Sequence, residues 1–207
     1  MEYKEFEDIS LIRAIQARLN EPRIGIHLSD LDLCLKKAYY RKLDPQPISR
    51  KQAVLYAVGF GVQKWLYPEP EKLFIVDDID CTPDYTGVEV KSTRAAIKNF
   101  DPCKSHWLFR IMGYCKALGI GSYVLSVVFV IPAEIRSWRF KFTSKEIEQN
   151  WQEALARRDI LRIAFQKQQP PSPDFHQVWE CKMCECSGFC LDQLKDRTRF
   201  TRIRFAA

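Results

Sequence analysis

The 207-residue chain predicts a single α/β domain built on a mixed sheet flanked by helices, and three observations lead there. Apolar spacing starts with a helical period, turns strand-like from residue 73, and then alternates between the two. The resulting order is helices, a β-meander, a helix, two strands and a long helix, which suits an α/β core. The length fits one core, since single cores stop growing beyond roughly 250–300 residues.

Residues 5–19 place Phe6, Ile9, Ile12, Ile15 and Leu19 on one helical face, and Asn20-Glu21-Pro22 stops that helix. Ser29 is expected to cap a second helix, SDLDLCLKKAYY, which would hold Cys34 on a rigid element. After the break at 44–47, residues 50–66 read as a third helix. Its Gly59 and Gly61 suggest a close approach of another backbone. LFIVDDIDC, PDYTG and VEVKST read as strands, with Thr86-Gly87 as a tight turn. Residues 103–118 are helical and end at Gly119. Residues 123–131 form an apolar strand predicted to be buried on both faces, and 135–142 alternate as a strand with one wet face. Thr143 or Ser144 caps a long helix reaching about Gln168, in which Trp151 and Phe165 read as core. Pro170 to Pro173 then forms a stiff linker. The single domain therefore divides into an N-terminal helical part (1–48), a core (49–169) and a C-terminal cysteine segment with a basic tail (170–207).

A composition of 46% hydrophobic and 28% charged residues lies outside the disordered regime. The net charge of +6 makes an anionic partner plausible without requiring one. The acidic N-terminus lacks a secretory layout, and no apolar run approaches the ~20 residues of a spanning helix, so a cytoplasmic protein away from membranes is expected. In a reducing compartment the eight cysteines read as metal ligands or core thiols.

In PDYTGVEVKST, Glu89 and Lys91 are two apart on a strand and leave the same face, while Val88 and Val90 take the other. That apolar opposite face, beside apolar neighbours, predicts a central strand. Asp84, across the proposed turn, would bring a second carboxylate to the lysine. Two carboxylates beside one ammonium form an oxygen-rich pocket of the kind that holds Mg²⁺ or Mn²⁺.

Asp84 followed by Glu89-Val90-Lys91 resembles the D…ExK signature of the PD-(D/E)XK nucleases. The cysteines narrow the resemblance to RecB-type exonucleases with an iron–sulfur cluster, notably the CRISPR-associated Cas-four family and its phage relatives. In that family one early cysteine joins three late ones spaced C-x2-C-x5-C. Cys34 and the triplet Cys181, Cys184 and Cys190 match the pattern, so the resemblance spans about residues 29–190. It implies a restriction-endonuclease-like core tied to its tail by a [4Fe–4S] cluster. It further implies digestion of single-stranded DNA from a 5′ end, a role in CRISPR adaptation, and CRISPR integrase proteins as partners.

Three departures from the family pattern stand out. Gln63 occupies the place of a histidine, so it is either an amide ligand of the ion or an ordinary polar helix residue. Arg110 replaces the glutamine of a Q-x3-Y motif completed by Tyr114; it would donate to a phosphate or lie on the surface. The interval from Asp84 to Glu89 is short for the family, which leaves Asp80 and Asp78 as competing ligands. In an active site of this kind Asp84 and Glu89 hold the ion, Lys91 positions the attacking water, and Tyr114 and Arg110 seat the DNA strand.

Cys186, two residues past Cys184, points the opposite way in an extended chain, so a local four-thiol cage in CKMCECSGFC is awkward. Taking Cys34 as the fourth ligand leaves Cys186 a spectator. Four thiolates suit zinc or an iron–sulfur cluster; one knuckle plus one distant cysteine leans toward the cluster, and the resemblance leans further. Cys81, Cys103 and Cys115 read as core thiols, and His27, His106 and His176 as packing or surface residues. The tail, with Lys195, Arg197, Arg199, Arg202 and Arg204 beside Phe200 and Phe205, suits single-stranded nucleic acid, or else is a solvated end or an edge strand protected by its charges. Two rival functions remain: a DNA-binding adaptor of the same fold that has lost catalysis, and a zinc-stabilised interaction protein.

Overall fold

The computed structural model describes residues 9–19, 24–43, 48–66, 72–83, 87–172, 180–181, 184–188 and 190. Helix α1 (Ile9–Leu19) packs on α4 (Arg50–Leu66), and Gln16 donates to the Ile48 carbonyl at 2.6 Å. Between them the expected second helix is split into α2 (Leu28–Leu31) and α3 (Leu35–Leu43). The cap is His27 rather than Ser29, and its N–H donates to Asp30 Oδ2 at 2.9 Å. The split has a physical cause. Arg157 donates Nε–H to the carbonyl of Leu31 and Nη2–H to that of Leu33, taking the acceptors a continuous helix would have used internally. Cys34 therefore sits in the junction, and its carbonyl accepts the first bond of α3 from Ala38 N–H at 3.1 Å.

The predicted meander takes a different form. LFIVDDIDC is not one strand but a hairpin of β1 (Phe74–Val76) and β2 (Ile79–Cys81), turned at Asp77 and Asp78 with φ of 49° and 57°. Positive φ at both central residues is what a tight turn between antiparallel strands requires, and Asp tolerates it better than most residues. The long helix α6 (Ser144–Lys167) holds this turn: Trp151 Nε1–H donates to Asp77 Oδ2 at 2.8 Å, and Arg162 Nη2 to Asp78 Oδ2 at 3.0 Å. Residues 84–86 of PDYTG, with the expected turn at Thr86, lie outside the described residues, as do His176 and the basic tail.

The main sheet has the order β3-β4-β5, from β3 (Val88–Thr93), β4 (Ser122–Phe129) and β5 (Glu134–Lys141). Strands β3 and β4 are parallel, joined through helix α5 (Ser105–Leu118), while β4 and β5 are antiparallel. The sheet is thus mixed, as expected. However, among the described residues β3 stands at the edge of this sheet rather than at its centre: α4 lies beside it, and Gln63 Nε2 donates to the Val90 carbonyl at 3.3 Å. Covering an edge with a helix protects its free backbone groups without a further strand.

Strand β4 alternates rather than being buried on both faces. Tyr123, Leu125, Val127 and Phe129 have no exposure and join Ile111 and Cys115 of α5 and Trp151 and Leu161 of α6 in one core. Phe100 anchors the β3–α5 loop, its ring 5.0 Å from Phe129 and 5.5 Å from Trp138. The expected close approach at Gly59 and Gly61 does not occur. A side chain at Gly59 would make only an ordinary contact with Ser92, and Gly61 has open space. The tight approach is at Gly113 of α5, where a Cβ would lie 2.5 Å from Leu28 Cδ2 of α2. Thr143 caps α6 as predicted, Oγ1 accepting from Glu146 N–H at 3.2 Å. Among the described residues no helix is long and apolar enough to cross a membrane.

Candidate functional site

Strand alternation puts Glu89 and Lys91 on one face of β3, and the fold buries the carboxylate: Glu89 is 2% exposed. Its Oε1 receives the Lys91 ammonium, and Arg110 Nη1 of α5 stands 3.8 Å from the same oxygen. Its Oε2 is buried and has no hydrogen-bond partner among the described residues. Arg110 in turn binds Asp32, at the C-terminal cap of α2, through Nε at 2.9 Å and through Nη2. The Asp32 side chain is fully buried, and its Oδ1 also lacks a partner. Burial pushes the Asp32 pKa up, against the pull of Arg110. Burial likewise disfavours the Arg110 charge, yet Asp32, then Tyr114 and Glu89, raise its pKa above the ordinary value.

Two helices and a strand thus place two carboxylates and two cations around one buried point. Of the residues expected here, Glu89, Lys91 and Arg110 come together. Gln63 lies alongside, its amide N–H on the backbone of the same strand. Tyr114 is only 5% exposed, with its ring 6.1 Å from Tyr123. Its ring packs in the core, and its charge acts on Arg110, which joins it electrostatically to the site. Asp84 lies outside the described residues. The competing ligands point elsewhere: Asp78 pairs with Arg162, and Asp80 Oδ2 lies 3.7 Å from His27 Nε2. His106 lies one turn before Arg110 on α5. Burial, then the charges of Arg110, Lys104 and Lys91, push it down to about 4, so it is neutral at pH 7.

The cysteine segment is docked on α3. Cys34 N–H donates to both oxygens of the buried Glu180, at 3.3 and 3.2 Å. Lys37 Nζ lies 4.0 Å from Glu180 Oε1 and 3.5 Å from Glu185 Oε2, and Arg41 bonds Glu185 Oε1. The carboxylates flanking Cys181 and Cys184 therefore tie the late cysteines to the helix that begins at Cys34. The thiols sense one another: burial and then neighbouring charge raise Cys34, Cys181 and Cys190, and Cys184 contributes to all three shifts. Cys186 is buried and hydrogen-bonds Cys184, whose thiol is pulled down to about 6. Among the described residues no three His, Cys, Asp or Glu side chains are spaced to hold a metal ion.

No family model and no curated protein matches the sequence. Among solved structures, the crystal structure of SSO0001 aligns at 16% identity and a TM-score of 0.59, covering 91% of this chain and 98% of that one. The chain shares the fold of SSO0001. Two crystal structures of LHK-Exo, an alkaline exonuclease from Laribacter hongkongensis, align with TM-scores of 0.47 and 0.46 at 15% identity. They cover 74% and 75% of this chain and 94% and 95% of theirs; the former is a complex with dAMP.

Asp32 is the residue that sequence reasoning missed. It stands two positions before Cys34 in a stretch that reads as continuous helix, where an aspartate looks like a solvated side chain. The one available signal was Arg110: an arginine placed in a buried helix face demands an anion.

Proposed function

We propose that the protein is a divalent-metal-dependent deoxyribonuclease with a restriction-endonuclease-like core, acting as an exonuclease on single-stranded DNA. The observation that carries this reading is the buried Glu89, which shares a strand face and an ion pair with Lys91 and keeps Oε2 unpartnered. A buried carboxylate oxygen without a donor is costly unless a cation meets it, and hard oxygen donors suit Mg²⁺ or Mn²⁺. Glu89 would hold the ion, with Asp84 as its partner from the sequence signature and the Gln63 amide beside them. When bound, the ion supplies a water of lowered pKa as the nucleophile.

The chain's own groups do the rest. Lys91, partly exposed on the same face, meets charge growing on the phosphate oxygens. Arg110 offers guanidinium N–H donors to a phosphate, and its contact with Asp32 fixes the plane of that fork. The neutral His106 lies beside both cations and adds no further charge to repel the ion. Single-strand preference, the 5′ start, CRISPR adaptation and integrase partners rest on the family resemblance.

The thiols of Cys34, Cys181, Cys184 and Cys190 have the donor chemistry of a [4Fe–4S] cluster. The docking of Glu180 on the Cys34 amide supports a site shared between the N-terminal part and the tail. Anaerobic purification with iron and sulfide analysis tests this; zinc alone would favour the interaction-protein reading.

The adaptor reading is favoured by one feature, the engagement of Arg110 with Asp32 and of Gln63 with Val90, which leaves neither as the family pattern has it. Labelled single-stranded DNA separates the two. An enzyme degrades it with Mn²⁺ and loses that activity in Lys91→Ala, whereas an adaptor retains DNA without cleavage in wild type and variant alike.

A further inference from the structure

Asp32 and Glu89 share an unusual arrangement. Each is buried, each gives one oxygen to a cation at Arg110 or Lys91, and each keeps its second oxygen buried without a hydrogen-bond partner among the described residues. The guanidinium between them faces both, with Nε and Nη2 on Asp32 and Nη1 toward Glu89. Arg157 holds the carbonyls of Leu31 and Leu33 on either side of Asp32 and so fixes the backbone that carries it.

We propose that Asp32 is a carboxylate ligand of the divalent-cation site, with Asp32 Oδ1 and Glu89 Oε2 as the oxygens presented to Mg²⁺ or Mn²⁺. This deepens the nuclease reading of Glu89 and rests on it. Arg110 and Lys91 then hold the other oxygen of each carboxylate and keep the pair from repelling itself apart before the ion arrives. The four described charges, Asp32, Glu89, Lys91 and Arg110, sum to zero, so an incoming dication meets two resident cations. A DNA phosphate that pairs with Arg110 offsets that opposition, and by linkage DNA and ion strengthen each other's binding.

The experiment titrates Mn²⁺ alone into the full chain by calorimetry. Asp32→Asn by itself would strand a buried guanidinium, so the comparison uses Arg110→Gln against the double variant Asp32→Asn with Arg110→Gln. Arg110→Gln should bind Mn²⁺ as tightly as wild type or more tightly, since a competing cation is gone. The double variant should bind at least about tenfold more weakly than Arg110→Gln, the scale of one lost carboxylate ligand. Equal affinity in those two variants overturns the inference, leaving Asp32 as a counter-ion to Arg110. Glu89→Gln separates the two levels: if it too binds Mn²⁺ like wild type, the reading of the Glu89 site itself fails.

Discussion

Arg157 braces the junction that carries Asp32 and Cys34, and its removal is the sharpest test of that local fold. Its guanidinium satisfies the Leu31 carbonyl in a buried bond and the Leu33 carbonyl in a partly buried one, and it lies 5.8 Å from the Phe109 ring. Arg157→Met keeps the apolar stem while orphaning both acceptors. Each buried acceptor left unpaired costs about 1–3 kcal/mol, and a cation–π contact adds about 0.5–1 kcal/mol. With one carbonyl only partly buried, the sum is about 2–4 kcal/mol, a large share of the roughly 5–15 kcal/mol that holds a domain together. Urea denaturation should show the midpoint falling with an unchanged m-value. Arg157→Lys, which can reach one carbonyl but not both, should fall between. Because the orphaned carbonyls flank Asp32 and Cys34, Mn²⁺ affinity should fall as well. A stability of Arg157→Met within about 0.5 kcal/mol of wild type, the scatter of ordinary surface substitutions, would refute the claim that Arg157 holds the break between α2 and α3.

Further outcomes follow from the same contacts. Gly113→Ala gains about 1 kcal/mol of helix propensity but drives a Cβ into the buried Leu28, and overpacking of about 1–3 kcal/mol should leave the melting temperature lower; a higher one would contradict the α2–α5 contact. Thr143→Ala should cost about 1 kcal/mol by chemical denaturation and be restored by Thr143→Asp, since either side chain accepts from the first turn of α6. Burial raises the Cys81 thiol to about 12 against an ordinary 9.0. The unfolded chain therefore loses that proton first, so stability from this group is complete below pH 9 and is lost as pH rises toward 12. Cys81→Ala should flatten that alkaline decline, measured as unfolding free energy at pH 8 and pH 10.5.

The sequence revealed the site more readily than the way it is enclosed. Period-two spacing was enough to place Glu89 and Lys91 together, because alternation is local. It could not show that β3 lies at an edge, since burial by a flanking helix and burial by a neighbouring strand select the same apolar residues at Val88 and Val90. The hairpin at Asp77-Asp78 was hidden for a related reason: two aspartates inside an apolar run look like one interrupted strand unless their positive φ is known. The break before Cys34 was invisible locally, because its cause, Arg157, is more than 120 residues away. Asp32 followed from that break. The contact of the Cys34 N–H with Glu180, 146 residues on, joins the early helix to the late segment and has no local trace in the sequence.

The most direct test of the central claim is the rate at which nucleotides are released from end-labelled single-stranded DNA, with Mn²⁺ and with the ion chelated, for wild type and Glu89→Gln. Release by wild type that stops on chelation and falls about 100-fold or more in Glu89→Gln is the predicted result. Release that persists without a divalent ion, or that is equal in the two proteins, would contradict it.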